Sequence, residues 1–262
     1  MSASADPLST AVSALRAAGC VFAEDEARLL LEAARTPADL TALVRRRAAG
    51  LPLEVLLGWA EFCGVRVAVD PGVFVPRQRT AFLVQQALAR AQAGSVVLDL
   101  CCGTGALGLA MATALGRLEL HASDLDPAAV GCARRNLAPL GARVYAGDLY
   151  QPLPAMLRGR VEVLVANAPY VPTDAIALMP AEARDHEPRL ALDGGPDGVD
   201  VQRRVAAGAR EWLAPGGSLL IETSRRQAPR TAEAVTGAGL DARVLHSEEL
   251  LCTVVVATLP EA

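Results

Sequence analysis

A four-residue motif, Asn167-Ala168-Pro169-Tyr170, follows an apolar run of strand length at residues 161–166. The side-chain oxygen of Asn167 and the backbone carbonyl of Ala168 can each accept one N–H of a planar NH2 group, which aims the nitrogen lone pair at an electrophile. Pro169 stiffens the loop, and Tyr170 can pack against a flat substrate group. Because an alkylated nitrogen of this kind is acidic enough to lose its proton to water, no strong general base is required. These four residues are therefore the predicted catalytic residues of an N-alkylating site.

A glycine-rich loop follows an earlier apolar run and leads into a helical segment. It reads Asp99-Leu100-Cys101-Cys102-Gly103-Thr104-Gly105 and continues into Ala106-Leu107-Gly108. Glycines here let the backbone turn tightly and let an extended ligand lie directly against it. The glycines at 103, 105 and 108 also spell G-x-G-x-x-G, which fits a dinucleotide. The loop alone therefore predicts a nucleotide-type cofactor without deciding which one.

Three acidic residues at the ends of successive strand-length runs favour S-adenosyl-L-methionine over a dinucleotide. Asp99 precedes the glycines, where its carboxylate can take up the cationic amino group of a methionine moiety and would repel a pyrophosphate. Asp124 can accept from both ribose hydroxyls, and Asp148 from the adenine amino group. Each of them could instead merely cap a loop, as expected for Asp126 ahead of Pro127. The predicted cofactor-binding residues are Asp99, Cys101, Gly103, Thr104, Gly105, Asp124, Leu125, Gly147, Asp148 and Asn167.

Apolar runs of strand length alternate with helical segments over the C-terminal two thirds of the chain. The predicted strands are SVVLDL, LELHASD, RVYAGD, VEVLVANAP, GSLLIET, RVLHS and CTVVVATL. Strands that are apolar on both faces and alternate with helices are typical of a mostly parallel sheet covered on both sides. Ligands bind such sheets at the carboxyl ends of the strands, where the residues above are expected to lie. The predicted fold class is therefore α/β, with a Rossmann-like sheet.

Two smaller segments precede that sheet. Apolar residues recur at helical spacing near the N-terminus, and Thr36-Pro37-Ala38-Asp39 predicts a helix start. The alternation in Val65-Arg66-Val67-Ala68-Val69 predicts a strand. We therefore expect an N-terminal helical domain at 1–50, a β-hairpin linker at 51–78 and a cofactor-binding domain at 79–262.

The charge balance argues against nucleic acid as a stable partner. All 25 basic residues are arginines, and 29 acidic residues give a formal charge of −4, whereas a nucleic-acid binder needs a net basic face. The first twenty residues lack the pattern of a secretory signal, and no window is apolar for long enough to cross a bilayer. We therefore expect a cytoplasmic protein without membrane attachment. Six scattered cysteines and three histidines predict no metal site.

An ordered set of motifs over most of the chain resembles the release-factor N(5)-glutamine methyltransferases. Besides the cofactor loop, Asp124 and the Asn167 motif, the set comprises Pro52-Leu53-Glu54 to Gly58, Glu61-Phe62-Cys63-Gly64, Val75-Pro76-Arg77, Asn136, His186 to Leu192, Gly194-Gly195, Asp197-Gly198, and Glu222 with Gln227. The resemblance implies a seven-stranded class I methyltransferase sheet behind a small N-terminal helical domain. It also implies a protein substrate, the glutamine in the Gly-Gly-Gln loop of a peptide chain release factor. Asn167 and the Ala168 carbonyl, with Pro169 and Tyr170, would hold the glutamine amide, and Arg77 and Glu187 would lie near the entrance.

Three segments depart from that family pattern. Ala168 replaces the first proline of Asn-Pro-Pro-Tyr, which keeps the carbonyl acceptor but lowers the rigidity of the loop. Pro76 to Ala81 lose two carboxylates of the family's Pro-Arg-Pro-Glu-Thr-Glu and add Arg79, and Glu248 to Cys252 replace a Gly-Arg-Asp-Arg-like turn. These changes leave the chemistry intact and indicate a divergent, paralogue-like member whose acceptor the sequence leaves open.

Several alternatives to a release-factor substrate follow from the same residues. The acceptor could be the planar NH2 group of a nucleobase, or a small-molecule amine or amide. The glycine loop would also suit an NAD-dependent oxidoreductase, although that reading leaves the Asn167 motif unexplained. A binding module without catalysis is the remaining alternative, and the sequence gives no oligomeric state.

Overall fold

The computed structural model describes residues 6–261, in which a helical segment and a β-hairpin precede a seven-stranded sheet. The helical segment comprises α1 (Pro7–Ala17), α2 (Ala23–Ala33), α3 (Pro37–Ala48) and α4 (Leu53–Leu57). The predicted start of α3 is confirmed. The Thr36 hydroxyl accepts from the Asp39 amide at 3.1 Å, and Pro37 occupies the first helical turn, where its missing N–H is not needed.

The four helices bury an apolar cluster of their own. Leu15, Leu30, Leu40 and Val44 form part of its centre, and Leu53, Leu56 and Leu57 of α4 pack against it. The helix α4 thus lies in the segment expected to be a linker and contributes to the helical cluster. The division of the chain into domains at 1–50, 51–78 and 79–262 stays a prediction.

The hairpin consists of β1 (Trp59–Phe62) and β2 (Val65–Ala68), paired antiparallel. Cys63 and Gly64 connect the two strands with φ of 49° and 74°, as a tight two-residue hairpin turn requires. Asn136 ties β2 to the rest of the chain, because its side chain accepts from the Ala68 amide at 2.9 Å and donates to the Thr104 carbonyl at 2.8 Å. The hairpin is therefore fixed directly against the glycine-rich loop.

All seven predicted strands occur in the sheet. Its strands are β3 (Val96–Leu100), β4 (Glu119–Asp124), β5 (Arg143–Ala146), β6 (Val161–Ala166), β7 (Leu213–Thr223), β8 (Asp241–Ser247) and β9 (Cys252–Thr258). Their spatial order is β5-β4-β3-β6-β7-β9-β8; the first five are parallel, and β9 is antiparallel to both of its neighbours. The strand β7 begins at Leu213 rather than at the expected Gly217, because Leu213 pairs with Val161 ahead of a register shift.

Helices cover both faces of the sheet. The covering helices are α5 (Ala81–Leu88), α6 (Ala106–Leu115), α7 (Pro127–Leu137), α10 (Asp200–Trp212) and α11 (Ala228–Gly237), whereas the short α8 (Ala181–His186) and α9 (Arg189–Leu192) lie beyond the carboxyl ends of the strands. One buried cluster packs α5, α6 and α7 on one face, and a second packs α10 and α11 on the other. Every residue of β3 is buried, as a central strand between two helical layers requires.

The order of the strands creates a crevice at the carboxyl ends of the central strands. From β3 the chain builds β4 and β5 on one side and then returns to add β6 and β7 on the other. The loops after β3 and β6 therefore diverge at the carboxyl ends of adjacent strands, where open α/β sheets bind ligands. Among the helices within residues 6–261, none is long and apolar enough to cross a membrane.

The helical segment contacts the border of this crevice through one buried arginine. Arg47 of α3 donates to Glu26 of α2 at 2.6 Å and to Glu182 of α8 at 3.0 Å. The Arg47 side chain is only 12% exposed, and its pair with Glu26 is shielded from water, whereas Glu182 is partly exposed. The N-terminal helices are thereby joined to the segment that borders the crevice.

Candidate active site

A cavity of about 570 Å³ lies at the carboxyl ends of β3, β4 and β6. The structure brings twelve of the predicted site residues to its wall: Arg77, Cys101, Gly103, Thr104, Asp124, Leu125, Asp148, Asn167, Ala168, Pro169, Tyr170 and Glu187. Asp99, Gly105 and Gly147 are not among the lining residues. The cofactor loop and the Asn167 motif, which are far apart in the sequence, thus face one space.

The cofactor loop turns on three residues in the left-handed region. Cys101, Gly103 and Gly105 have φ of 56°, 54° and 77°, and the Gly105 amide donates to the Cys102 carbonyl at 2.7 Å. A Cβ built on Gly103 meets no atom within 4 Å, so open space lies over the backbone there. The loop therefore leaves room for a ligand to lie directly against the main chain.

Asp124 holds the cofactor loop and also lines the cavity. Its Oδ2 accepts from the Gly103 amide at 2.8 Å, and its Oδ1 accepts from the Asp126 amide at 2.9 Å. Burial raises the pKa of the Asp124 carboxyl, and these backbone donors oppose that shift. Each oxygen keeps a second lone pair, so the carboxylate can still accept from a ligand.

Asp99 is buried and does not line the cavity, so its contact with the cofactor stays a prediction. Its side chain is fully buried behind the loop, where Oδ2 accepts from the Gly108 amide at 3.3 Å and Oδ1 has no partner among residues 6–261. Burial raises the pKa of Asp99 to about 7. The residue connects the end of β3 to the start of α6, and it positions the loop from behind.

Gly105 and Gly147 also act through packing rather than by lining the cavity. A Cβ on Gly105 would lie 3.0 Å from Leu137 Cδ1, and one on Gly147 would lie 3.0 Å from Pro152 Cβ. Both have positive φ, at 77° and 154°. The sequence could not distinguish a glycine that faces a ligand from one that permits close packing of the loop behind it.

Asp148 is ion-paired at the side of the cavity expected to receive adenine. Arg204 of α10 donates to its Oδ2 at 2.5 Å, and both residues line the cavity. Arg204 was not among the predicted site residues, because nothing near it in the sequence marks it as part of a site. Only the packing of α10 against the sheet brings it there.

The Asn167 motif begins where β6 ends. The Asn167 side-chain nitrogen donates to the Thr80 hydroxyl at 3.4 Å, and within residues 6–261 its Oδ1 accepts no protein hydrogen bond. Ala168 is 1% exposed and lines the cavity with its neighbours. Thr80 thus orients the amide so that its oxygen is the group available to a ligand. Apart from its closeness to Arg77, nothing in the sequence marks Thr80 for this role.

Gln227 fastens the motif to the rest of the fold. Its side-chain nitrogen lies 2.7 Å from the Tyr170 carbonyl, 3.1 Å from that of Asp197 and 3.0 Å from that of Gly198. A Cβ on Gly198 would lie 2.5 Å from the Tyr170 carbonyl oxygen, so only glycine fits there. The motif and the Gly194–Gly198 turn are therefore held together by one buried side chain.

Tyr170 is held at its other end by two charged residues. Its hydroxyl donates to Glu222 Oε1 at 3.1 Å and accepts from Arg79 Nη2 at 3.0 Å. Burial, and then the negative charge of Glu222, raise the pKa of Tyr170 to about 12. The phenol is therefore neutral at physiological pH, with its ring fixed at the wall of the cavity.

Arg77 and Glu187 form an ion pair at the cavity wall. Arg77 Nη2 donates to Glu187 Oε2 at 2.6 Å, and the Val75 amide donates to the other oxygen at 3.3 Å. Burial raises the pKa of Glu187 although Arg77 opposes the shift. The pair connects the strand-like segment after the hairpin to the turn between α8 and α9.

Comparison with known proteins agrees with this architecture. Residues 64–183 match a family model described as a methyltransferase small domain. A solved methyltransferase from Pyrococcus furiosus aligns with a TM-score of 0.57 at 16% identity, over 75% of this chain and 90% of that one. The fold and the site together define a class I methyltransferase of the S-adenosylmethionine-dependent type, as the sequence predicted.

Two relatives named release factor glutamine methyltransferase identify the family within this class of methyltransferases. The protein from Deinococcus radiodurans is 38% identical over 261 residues, which cover 91% of this chain and 92% of that one. The protein from Geobacter sulfurreducens is 40% identical over 197 residues, covering 73% and 68%. The chain belongs to the release factor glutamine methyltransferase family, and the resemblance inferred from its motifs is confirmed.

Proposed function

We propose that this enzyme binds S-adenosyl-L-methionine in the 570 Å³ cavity and methylates the side-chain amide nitrogen of a glutamine in a peptide chain release factor. One observation carries the proposal: Asn167, whose Oδ1 accepts no protein hydrogen bond among the described residues, lies on the same cavity as the open glycine loop. The relatives' name supports the choice of a release factor as the protein substrate. A cytoplasmic location belongs to the same proposal.

The residues of the cavity suit the proposed cofactor. The open space over Gly103 can take an extended ligand, and Asp124 retains lone pairs for two ribose hydroxyls. Leu125 and Asp148 border the adjoining wall, where an adenine ring would fit. When bound, S-adenosyl-L-methionine supplies an electrophilic methyl group on a sulfonium. Asp99 supports this arrangement from behind the loop.

The Asn167 motif suits a carboxamide acceptor. An amide nitrogen is a poor nucleophile because its lone pair is delocalised. Two fixed acceptors, Asn167 Oδ1 and the Ala168 carbonyl, would bind its two N–H groups and favour the charge that develops as the N–CH3 bond forms. The nitrogen then loses one proton to water. Tyr170 remains protonated, so we assign it to packing and orientation rather than to proton transfer.

Methyl transfer from labelled S-adenosyl-L-methionine to an intact release factor tests the proposal. We expect label to enter the release factor and to disappear when the glutamine of its Gly-Gly-Gln loop is replaced by asparagine. Label that enters both proteins equally would contradict the glutamine assignment. Binding of S-adenosylhomocysteine, measured by calorimetry, tests the cofactor separately, and binding of NAD in its place would contradict the cofactor assignment.

A further inference from the structure

A second pocket of about 310 Å³ adjoins the candidate active site. Arg79 and Tyr170 line both spaces, and Glu222, Leu251 and Cys252 also line the second one. The pocket therefore begins at the far side of the Tyr170 side chain, at the carboxyl end of β7 and the amino end of β9. Arg79 and Glu222 hold the Tyr170 hydroxyl, whereas Leu251 and Cys252 have no part in the proposed methyl transfer.

Glu222 gives this pocket an unused hydrogen-bond acceptor. The residue is 1% exposed, and its Oε1 accepts from the Tyr170 hydroxyl at 3.1 Å and from Arg79 Nε at 3.4 Å. Its Oε2 is buried and has no partner among residues 6–261. A buried acceptor without a partner is unfavourable, because it has lost its hydrogen bonds to water. A ligand that donates a hydrogen bond there would relieve that deficit.

The other charges around the pocket are already paired. Arg79 neutralises Glu222, and Arg225 lies 3.3 Å from Glu248. The thiol of Cys252 stays neutral, because burial and then the charge of Glu222 raise its pKa to about 12. An uncharged N–H donor matches the buried Glu222 oxygen without adding a charge beside these ion pairs.

One exposed apolar side chain, Leu251, lines the pocket. Leu251 is 75% exposed with φ of 50°, so a bulky side chain is held in solvent by the turn between β8 and β9. Arg79 and the Glu248–Cys252 turn are two of the segments in which this chain departs from the family pattern. These two departures, far apart in the sequence, meet at this pocket.

We propose that the second pocket is a substrate subsite that receives the polypeptide next to the methylated glutamine. A main-chain N–H of the substrate donates to Glu222 Oε2, and the adjoining chain packs against Leu251. A main-chain N–H is the uncharged donor that glycine residues beside a glutamine can offer. The assignment rests on the proposed function, because it takes a release factor as the substrate.

Leu251→Arg tests the subsite, because it places a long charged side chain at the pocket wall without touching the main cavity. With intact release factor we expect KM for the release factor to rise about tenfold, equivalent to about 1.4 kcal/mol. We expect kcat and the KM for S-adenosyl-L-methionine to stay within about twofold of wild type. Met156→Arg is the matched control: Met156 is 61% exposed and lies ahead of the amino end of β6, away from both pockets.

A peptide that carries the Gly-Gly-Gln segment tests the predicted donor. Replacing the main-chain N–H on either side of the glutamine by N-methyl, one at a time, is expected to lower kcat/KM about tenfold at one position in wild type and less than about twofold in Leu251→Arg. Unchanged KM for the release factor in Leu251→Arg, or equal sensitivity of both enzymes to N-methylation, would overturn the subsite while wild-type methylation still supports the proposed function. Absence of wild-type methylation would instead overturn the proposed function, and the subsite with it.

Discussion

The cofactor loop and the Asn167 motif face the same cavity but are held in different ways. The loop is fixed by backbone conformation, with left-handed φ at Gly103 and Gly105, and by contacts with the next strand and helix along the chain: its amide donates to Asp124, and Asn136 donates to the Thr104 carbonyl. The motif depends on side chains far away in the sequence, which are Thr80, Gln227, Glu222 and Arg79. The first region thus depends on backbone conformation and on neighbouring elements of the chain, and the second depends on side chains from distant parts of the chain.

This difference explains where the chain can diverge. A left-handed glycine admits few substitutes, so the cofactor half of the cavity is constrained residue by residue. A loop that is positioned by side chains from distant parts of the chain can accept substitutions, because those contacts still hold its backbone. Ala168 in place of proline fits this picture, because Gln227 and Glu222 hold the two ends of the following Tyr170.

Among substitutions in the cofactor loop and the Asn167 motif, Asn167→Ala should lower kcat the most. It removes the side-chain acceptor for the substrate amide, and loss of one such polar contact lowers kcat by about 10²–10³-fold. We expect the affinity for S-adenosylhomocysteine to change much less, because the cofactor loop does not depend on this residue. Steady-state kinetics and calorimetry check the two parts. An Asn167→Ala enzyme with wild-type kcat would remove the basis for the proposed catalytic role.

Gln227→Leu should remove the side-chain hydrogen bonds that hold the Asn167 motif, without changing the contacts of the cofactor loop. The change leaves the carbonyls of Tyr170, Asp197 and Gly198 without their shared donor, so we expect the free energy of unfolding to fall by about 3 kcal/mol and kcat to fall about tenfold. Denaturant unfolding and kinetics measure both. The matched control is Gln85→Leu, on the exposed side of α5, which should change neither. Equal effects of Gln227→Leu and Gln85→Leu would argue against a role of the Gln227 side chain in holding the motif.

Gly105→Ala and Gly103→Ala should separate packing from ligand contact within the cofactor loop. Both place alanine at positive φ, which is unfavourable by about 1–2 kcal/mol. At Gly105 the new Cβ also lies 3.0 Å from Leu137, so this variant should lose more stability. At Gly103 the Cβ enters open space on the cavity wall, so this variant should lose more cofactor affinity. Thermal unfolding measures stability and calorimetry measures cofactor affinity. If the same variant lost more of both, the separation of packing from ligand contact would be contradicted.

Asp99→Asn should have the smallest effect and should show it as a change in pH dependence. Burial raises the pKa of Asp99 from 3.8 to about 7, so the folded state binds its proton more tightly than the unfolded chain does. The stability of the wild type should therefore fall as pH rises through that window and level off above it. Asparagine does not ionise, so the variant should lack this slope and be more stable than wild type near pH 8. Urea unfolding from pH 5 to 8 would refute the assignment if the two slopes were the same.

The sequence predicted those parts of the molecule that depend on short-range pattern. The seven strands, the capped start of α3 and the residues at the carboxyl ends of β3, β4 and β6 follow from apolar runs and from single residues such as Pro37 and Gly103. The sequence did not distinguish Asp99, which is buried behind the loop, from Asp124, which lines the cavity, because both end a strand. It did not indicate Arg204 beside Asp148 either, since only the docking of α10 brings that residue to the cavity.

Tandem mass spectrometry that maps the methylated atom tests whether this enzyme methylates the side-chain amide of a release-factor glutamine. An intact release factor is incubated with the enzyme and S-adenosyl-L-methionine, digested, and compared with the same reaction containing Asn167→Ala. We expect one added methyl group, located on the side-chain amide of the glutamine in the Gly-Gly-Gln loop and nearly absent with the variant. A methyl group on any other residue, or the same yield with Asn167→Ala, would contradict this expectation.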